Sequence, residues 1–421
     1  MVLTTVADAD AEVNHYVCDK AIENAGSEAC LAEAKEWLRD CVETHPACCT
    51  ALSRRRFSDT TDSTPLPARV INVGSAPDFQ PYLMETEGRL GRYVALSYCW
   101  EPVDAGNPRI TLLQENKEAL KSRLPLDGLP PTIQDSIDFT RRLGLQYVWI
   151  DRLCIVQNDK ADWAVQADLM CNIYEGALVT LVALARESMD QGLYFPRTLQ
   201  PSVRIPCATP ERTIGTMNIT APEHRGALLS NRSSIFSSEV RQSKWATRGW
   251  TFQEGLLSRR MIYFGQRQLF WECQKMGCDE YGLPTDGDSL SIFLRDIVDE
   301  KWRAKSAKWL SSVSSTLPDG TVVSTVSALV LEHLRYWGKC ITYFQARELT
   351  FTSDKPKAMK GIARAIQDSL GWTGLAYSFG VFSKAAYLGL LWYPRGKISK
   401  PEQPRGEYLE CVIQVLLRSL S

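Results

Sequence analysis

The chain has 421 residues, 44% of them hydrophobic and 23% charged, with 48 Lys and Arg against 49 Asp and Glu. This is the composition of a globular protein and excludes wholesale disorder, while the length prior is two or three domains at about 150 residues each. A net charge of −1 gives no overall attraction to nucleic acid or an anionic membrane, and no apolar run approaches the roughly 20 residues that span a bilayer.

From the start, residues 1–15 show no basic stretch leading into an apolar one, so no secretory signal is expected. The thirteen cysteines are then expected to be reduced thiols in a cytoplasmic setting. Trp37, Leu38, Cys41, Val42 and His45 recur at helical spacing. Residues 54–67, rich in Arg, Ser, Thr and Pro, read as a surface linker, and 67–73 as the start of an extended segment.

The centre is more regular. Residues 93–98 are a short apolar run, expected as a buried strand. Pro130 and Pro131 precede Thr132, expected to cap a helix with Asp135 three residues on. Ile133, Ile137, Thr140 and Leu143 line that helix, and Gly144 ends it. Residues 147–150 are continuous and β-prone, so a strand buried on both faces is expected. Trp163, Ala167, Met170, Tyr174 and Ala177 form the next helical stripe, and 178–183 the next buried strand. This alternation predicts three neighbouring parallel strands joined by helices.

Residues 186–244 read as loops. A helix is expected over 249–257 and strands over 261–264 and 268–271. Beyond 285 the reading is helical, over 289–302, 322–342 and 357–370. The expected organisation is a helical lead-in and linker (1–88), an α/β domain (89–275) and a mainly helical region (276–421) with an atypical end after 392.

Several segments carry a family resemblance. Tyr93-Val94-Ala95-Leu96-Ser97-Tyr98-Cys99-Trp100 resembles the opening block of the fungal heterokaryon incompatibility (HET) domain. Thr132 to Ile137, Tyr147-Val148-Trp149-Ile150-Asp151-Arg152-Leu153-Cys154 and Arg248-Gly249-Trp250-Thr251-Phe252-Gln253-Glu254 resemble later blocks, in the same order and at similar spacing. The resemblance covers about 35–392. Glu101 stands where the family usually has Gly, and 394–421 departs from the family pattern.

The resemblance implies non-self recognition and regulated cell death in filamentous fungi, a branch of innate immunity. It also implies a distant similarity to TIR domains, hence an α/β, TIR-like (flavodoxin-like) mainly parallel sheet flanked by helices, with helical N- and C-terminal regions. Some TIR domains cleave NAD at the nicotinamide-ribose bond with a Glu on a helix beside the sheet, so NAD is the implied substrate rather than a resident cofactor. The implied partners are other incompatibility proteins or further copies of the chain, with neither nucleic acid nor membrane.

Glu254 is the candidate catalytic residue. A carboxylate suits a transition state that resembles an oxocarbenium ion. Trp250 lies one helical turn before it. Ser97, Tyr98 and Trp100 follow the first strand and Asp151 the second, and open α/β sheets bind ligands outside the carboxyl ends of their strands. The two aromatics suit stacking on a nicotinamide or adenine ring. In the TIR-like chain order the catalytic helix follows the third strand, so Glu254 is expected to face a cleft lined by Ser97, Tyr98, Trp100 and Asp151. The competing reading makes Glu254 a salt-bridging residue beside Arg248 or Arg259, and the aromatics core packing. Without a clear catalytic dyad, a non-enzymatic adaptor acting by self-association is the alternative function.

Cys154 follows a strand, but no His lies between His45 and His224, so a buried packing role is expected. Cys41, His45 and Cys48 have zinc-like spacing, with Cys30 or Cys49 as a fourth ligand. The same spacing makes a helical packing stripe, and that is the expectation, with no metal assigned. The chain has no phosphate loop.

Overall fold

The computed structural model describes residues 24–49, 63–100, 110–184, 191–197, 202–208, 214–220, 233–282, 284–285, 314–316, 322–324, 328–351, 354–369, 377–378 and 381–382. In chain order, helix α1 (Glu28–Thr44) leads into the strands β1 (Thr64–Pro65), β2 (Arg69–Asn72), β3 (Tyr82–Glu85), β4 (Leu90–Gly91) and β5 (Tyr93–Ser97). Helices α2 (Lys117–Ser122) and α3 (Pro131–Arg142) then lead to β6 (Tyr147–Trp149). Helices α4 (Asp151–Cys154) and α5 (Lys160–Gly176) lead to β7 (Val179–Ala183).

A hairpin follows, β8 (Ser202–Ala208) and β9 (Ile214–Thr220), then α6 (Ser233–Phe236), α7 (Lys244–Thr247) and α8 (Gly249–Leu257). The sheet is completed by β10 (Arg260–Phe264), β11 (Leu269–Cys273) and β12 (Gly277–Asp279), and two long helices come after it, α9 (Ala328–Gln345) and α10 (Lys355–Ser369).

The main sheet has eight strands in the order β12-β11-β10-β7-β5-β6-β2-β3. Its centre, β10-β7-β5-β6, is parallel, and both flanks are antiparallel. The expected neighbours β5, β6 and β7 are indeed adjacent and parallel. Counted along the chain, the four parallel strands stand in the order 2-1-3-4, so the winding reverses at β5, between β6 and β7. Such a reversal opens a crevice at the carboxyl ends of the strands.

All five residues of β5 and all five of β7 are buried, which explains why these runs are almost wholly apolar, Ser97 and Thr180 apart, rather than alternating. The two faces separate by strand alternation. Phe264 meets Phe139 of α3 edge-on at 5.1 Å, and Trp271 meets Trp37 of α1 at 6.0 Å. The intervening side chains, Tyr263 and Phe270, point to the other face, against Phe236, Val240 and Trp245. On that second face, Cys171 of α5 and Phe252 and Leu257 of α8 share an apolar cluster with Tyr336, Trp337 and Phe344 of α9 and Met359 and Ile362 of α10.

Three expectations need correction. The stretch 186–244 holds the long hairpin β8–β9, whose strands include Pro206 and several polar residues and so carry no apolar run. Helix α3 begins at Pro131, with Pro130 rather than Thr132 at the cap, because proline fits the first helical position and Thr132 is buried. Val322–Ser324 is a strand and the helix starts only at Ala328, while 289–302 lies outside the described residues. Gly144, at φ 81°, closes α3 as expected, a left-handed position that favours glycine. Among the described residues no helix is long and apolar enough to cross a membrane.

Candidate functional site

Helix α8 lies across the carboxyl end of β5. Its Glu254 accepts a short hydrogen bond from Ser97 Oγ, the last residue of that strand. Ser97 in turn accepts the indole N–H of Trp245 at 2.7 Å. A chain of donors therefore runs from Trp245 through Ser97 to the carboxylate, each bond polarising the next. Glu254 is 5% exposed and Ser97 1%.

Burial raises the carboxyl pKa of Glu254 from 4.5 to about 7, and the neighbouring charge of Asp151 pushes the same way. Ser97, Tyr174 and Arg248 pull against both. Of the two arginines considered as ion-pair partners, Arg259 donates to the carbonyls of Cys48, Glu175, Gly176 and Ala177, and Arg248 to the carbonyl of Trp100 at 2.9 Å, while its charge still acts on Glu254.

The neighbouring strand end supplies the second half of the group. Asp151, first residue of α4, accepts the indole N–H of Trp100 at 2.7 Å and its own neighbour's backbone N–H, that of Arg152, at 2.7 Å. Desolvation raises the Asp151 carboxyl above the usual carboxylate range. Arg152 is fully buried, with its guanidinium 4.4 Å from the centre of the Trp100 ring. Its Nε, Nη1 and Nη2, and the hydroxyl of buried Tyr98, have no hydrogen-bond partner among the described residues. Burial also holds the Tyr98 hydroxyl well above its usual pKa.

Helix α8 is held at its start from the C-terminal side. Gly249 N–H donates to the Glu348 carbonyl at 2.7 Å, and Glu348 N–H to that of Thr247 at 2.6 Å. A Cβ on Gly249 would stand 2.5 Å from the Leu349 side chain, so a larger residue here displaces Leu349.

Residues 93–254 match the family model described as Heterokaryon incompatibility protein (HET). The chain carries a HET domain. No curated protein and no solved structure matches it.

The HET domain brings Ser97, Tyr98, Trp100, Asp151 and Glu254 to one edge of the sheet. Trp250 turns away: its ring packs edge-on against Trp163 at 6.4 Å, and Lys357 lies over Trp163 at 4.4 Å. The structure corrects the expected cleft lined by Ser97, Tyr98, Trp100 and Asp151. Ser97, Glu254, Tyr98 and Arg152 are enclosed, because α8 and Trp245 pack directly onto the strand end.

Sequence reasoning missed Trp245 and Arg152 as members of the group. Arg152 stands inside a quoted block and Trp245 three residues before another, and a tryptophan within the polar stretch before Arg248 is the available signal. Cys154 is buried, and burial pushes its thiol up to about 12, as its packing role requires.

The cysteine stripe has a different outcome. The structure adds Cys273 to Cys41, His45 and Cys48, in place of the Cys30 or Cys49 considered from sequence. Cys30 lies instead against Arg197 and Glu280.

Proposed function

We propose that this chain is a heterokaryon incompatibility-type effector of fungal non-self recognition, which triggers cell death by cleaving NAD at the nicotinamide-ribose bond. The 2-1-3-4 strand order supports a flavodoxin-like, TIR-like reading of the fold. The observation that carries the chemistry is the Glu254 carboxyl, poised near pH 7 at the point where the winding reverses and backed by Ser97 and Trp245.

In this reaction the bond from ribose C1′ to the nicotinamide nitrogen breaks, and its electron pair leaves with nicotinamide. Ionised Glu254 stabilises the cation left on the ribose. Water adds at C1′ and gives up a proton, for which a carboxylate of pKa about 7 is a suitable acceptor. The products are ADP-ribose, nicotinamide and one proton. The guanidinium of Arg152, stacked on the Trp100 ring and acting on Asp151, is the cation of this group and suits the anionic oxygens of a dinucleotide.

Purified protein incubated with NAD should release nicotinamide. Glu254→Ala and Glu254→Gln should each lower the rate about 100- to 1,000-fold, as for loss of an electrostatic stabiliser, and both should abolish killing on expression. The enclosure of Glu254 favours one second reading, a non-enzymatic adaptor that acts by self-association or by recruiting other incompatibility proteins. Variants that fold and still kill would establish that reading instead.

A further inference from the structure

The opposite edge of the sheet carries a second constellation. Cys41 lies in the last turn of α1, His45 at its C-cap, Cys48 in the 3-10 turn Pro46–Cys49, and Cys273 at the end of β11. Their ligand atoms all lie within 4.8 Å of one another, and Cys273 Sγ is 3.6 Å from His45 Nδ1. A tetrahedral zinc with bonds of about 2.3 Å to sulfur and 2.0 Å to nitrogen has ligand-to-ligand edges of roughly 3.5–3.8 Å. The three cysteines are at most 3% exposed.

Hydrogen-bond donors face two of the sulfurs. Backbone N–H groups of Lys275 and Met276 both donate to Cys273 Sγ at 3.4 Å, wrapping the turn after β11 around that sulfur. Arg260 Nε donates to Cys41 Sγ at 3.1 Å. Such outer donors orient and stabilise metal-bound sulfurs. Three thiolates, a neutral imidazole and a divalent cation sum to −1, and the positive guanidinium of Arg260, fully buried, stands against that charge at Cys41.

We propose that Cys41, His45, Cys48 and Cys273 form a closed structural zinc site. Four protein ligands leave no open position for substrate, which separates this site from catalytic zinc. Its location agrees. Cys273 pairs with Arg260 at the start of β10, hence at the amino edge of the parallel strands, whereas Ser97 and Glu254 stand at the carboxyl edge. The ion clamps α1 and its following turn to β11 across 228 residues of sequence, and binding releases the thiol protons.

Full-length protein purified without chelator should carry one zinc per chain by elemental analysis. Exchange into cobalt(II) should give the absorption of a tetrahedral thiolate complex. Cys273→Ser should lose the metal, whereas Cys49→Ser and Cys278→Ser, outside the ligand set, should keep it. Should Cys273→Ser fail to fold, the cobalt spectrum of the unaltered protein decides. Zinc well below one per chain with no tetrahedral cobalt spectrum, zinc retained by Cys273→Ser, or a disulfide among the three cysteines would each overturn the proposal.

Discussion

Replacing Glu254 by glutamine keeps the shape of the side chain and removes its titration, so the variant isolates the cost of ionising a carboxyl behind α8. In the native protein its pKa rises from 4.5 to about 7. At 1.36 kcal/mol per unit this is about 3 kcal/mol. The sign follows from proton counting. Between these two values the native state binds more protons than the unfolded state, so its stability falls as pH rises. Below pH 4.5 both states are protonated and the residue contributes nothing to the slope. Above pH 7 the penalty is complete.

Groups not coupled to Glu254 titrate alike in both proteins and cancel in the comparison. The stability of Glu254→Gln relative to the unaltered protein should therefore improve by about 2–3 kcal/mol between pH 5 and 8, most of it before pH 7. Urea denaturation of the two proteins across that range measures the difference directly. A difference that stays constant with pH would refute the argument, because Glu254 would then titrate like an exposed carboxyl.

If Glu254 works as a carboxylate, nicotinamide release should rise with pH through about 7, and a flat pH-rate profile would exclude that role. Trp245→Phe removes the N–H that Ser97 accepts. It should cost about 1–3 kcal/mol and move the midpoint of the Glu254-dependent stability difference upward, both read from the same denaturation series. Asp162→Ala strands Arg69, which holds both Asp162 oxygens and the Cys154 carbonyl in a largely buried setting. A loss of about 3–5 kcal/mol is expected in urea denaturation, as for any buried charge deprived of its partner. Gly249→Ala forces a methyl onto Leu349 and should destabilise by about 1–3 kcal/mol, seen as a lower urea midpoint.

The strands β5, β6 and β7 were legible because each is largely buried on both faces and therefore appears as a mainly apolar run between helical stripes. Helix α8 was legible to the residue, its bounds set by Gly249 and Leu257. What local pattern does not encode is which strand lies beside which. The antiparallel flanks, with β2 and β3 joining from before residue 89, depend on pairings between distant segments. Trp245 was missed for the same reason: its partner Ser97 lies 148 residues away. Cys273 reads as an isolated core cysteine until β11 brings it to His45. The enclosure of Glu254 depends on how α8 sits on the strand end, which spacing does not determine.

Helix α8 belongs to the matched segment 93–254, yet much of what holds it comes from outside. β7 takes its neighbour β10 from beyond residue 254, and β6 takes β2 from before residue 93. Leu349, against Gly249, is supplied from nearly a hundred residues further on. The stretch defined by sequence similarity is thus not a folding unit. Excised alone, it would present two bare strand edges, each a row of unpaired N–H and C=O groups ready to join another chain. The smallest fragment that keeps the eight-stranded sheet and the anchor of α8 runs from β2 through Leu349, and the clamp on β11 extends it back to α1. Alterations at Glu348 or Leu349, outside residues 93–254, therefore bear on the start of the helix that carries Glu254.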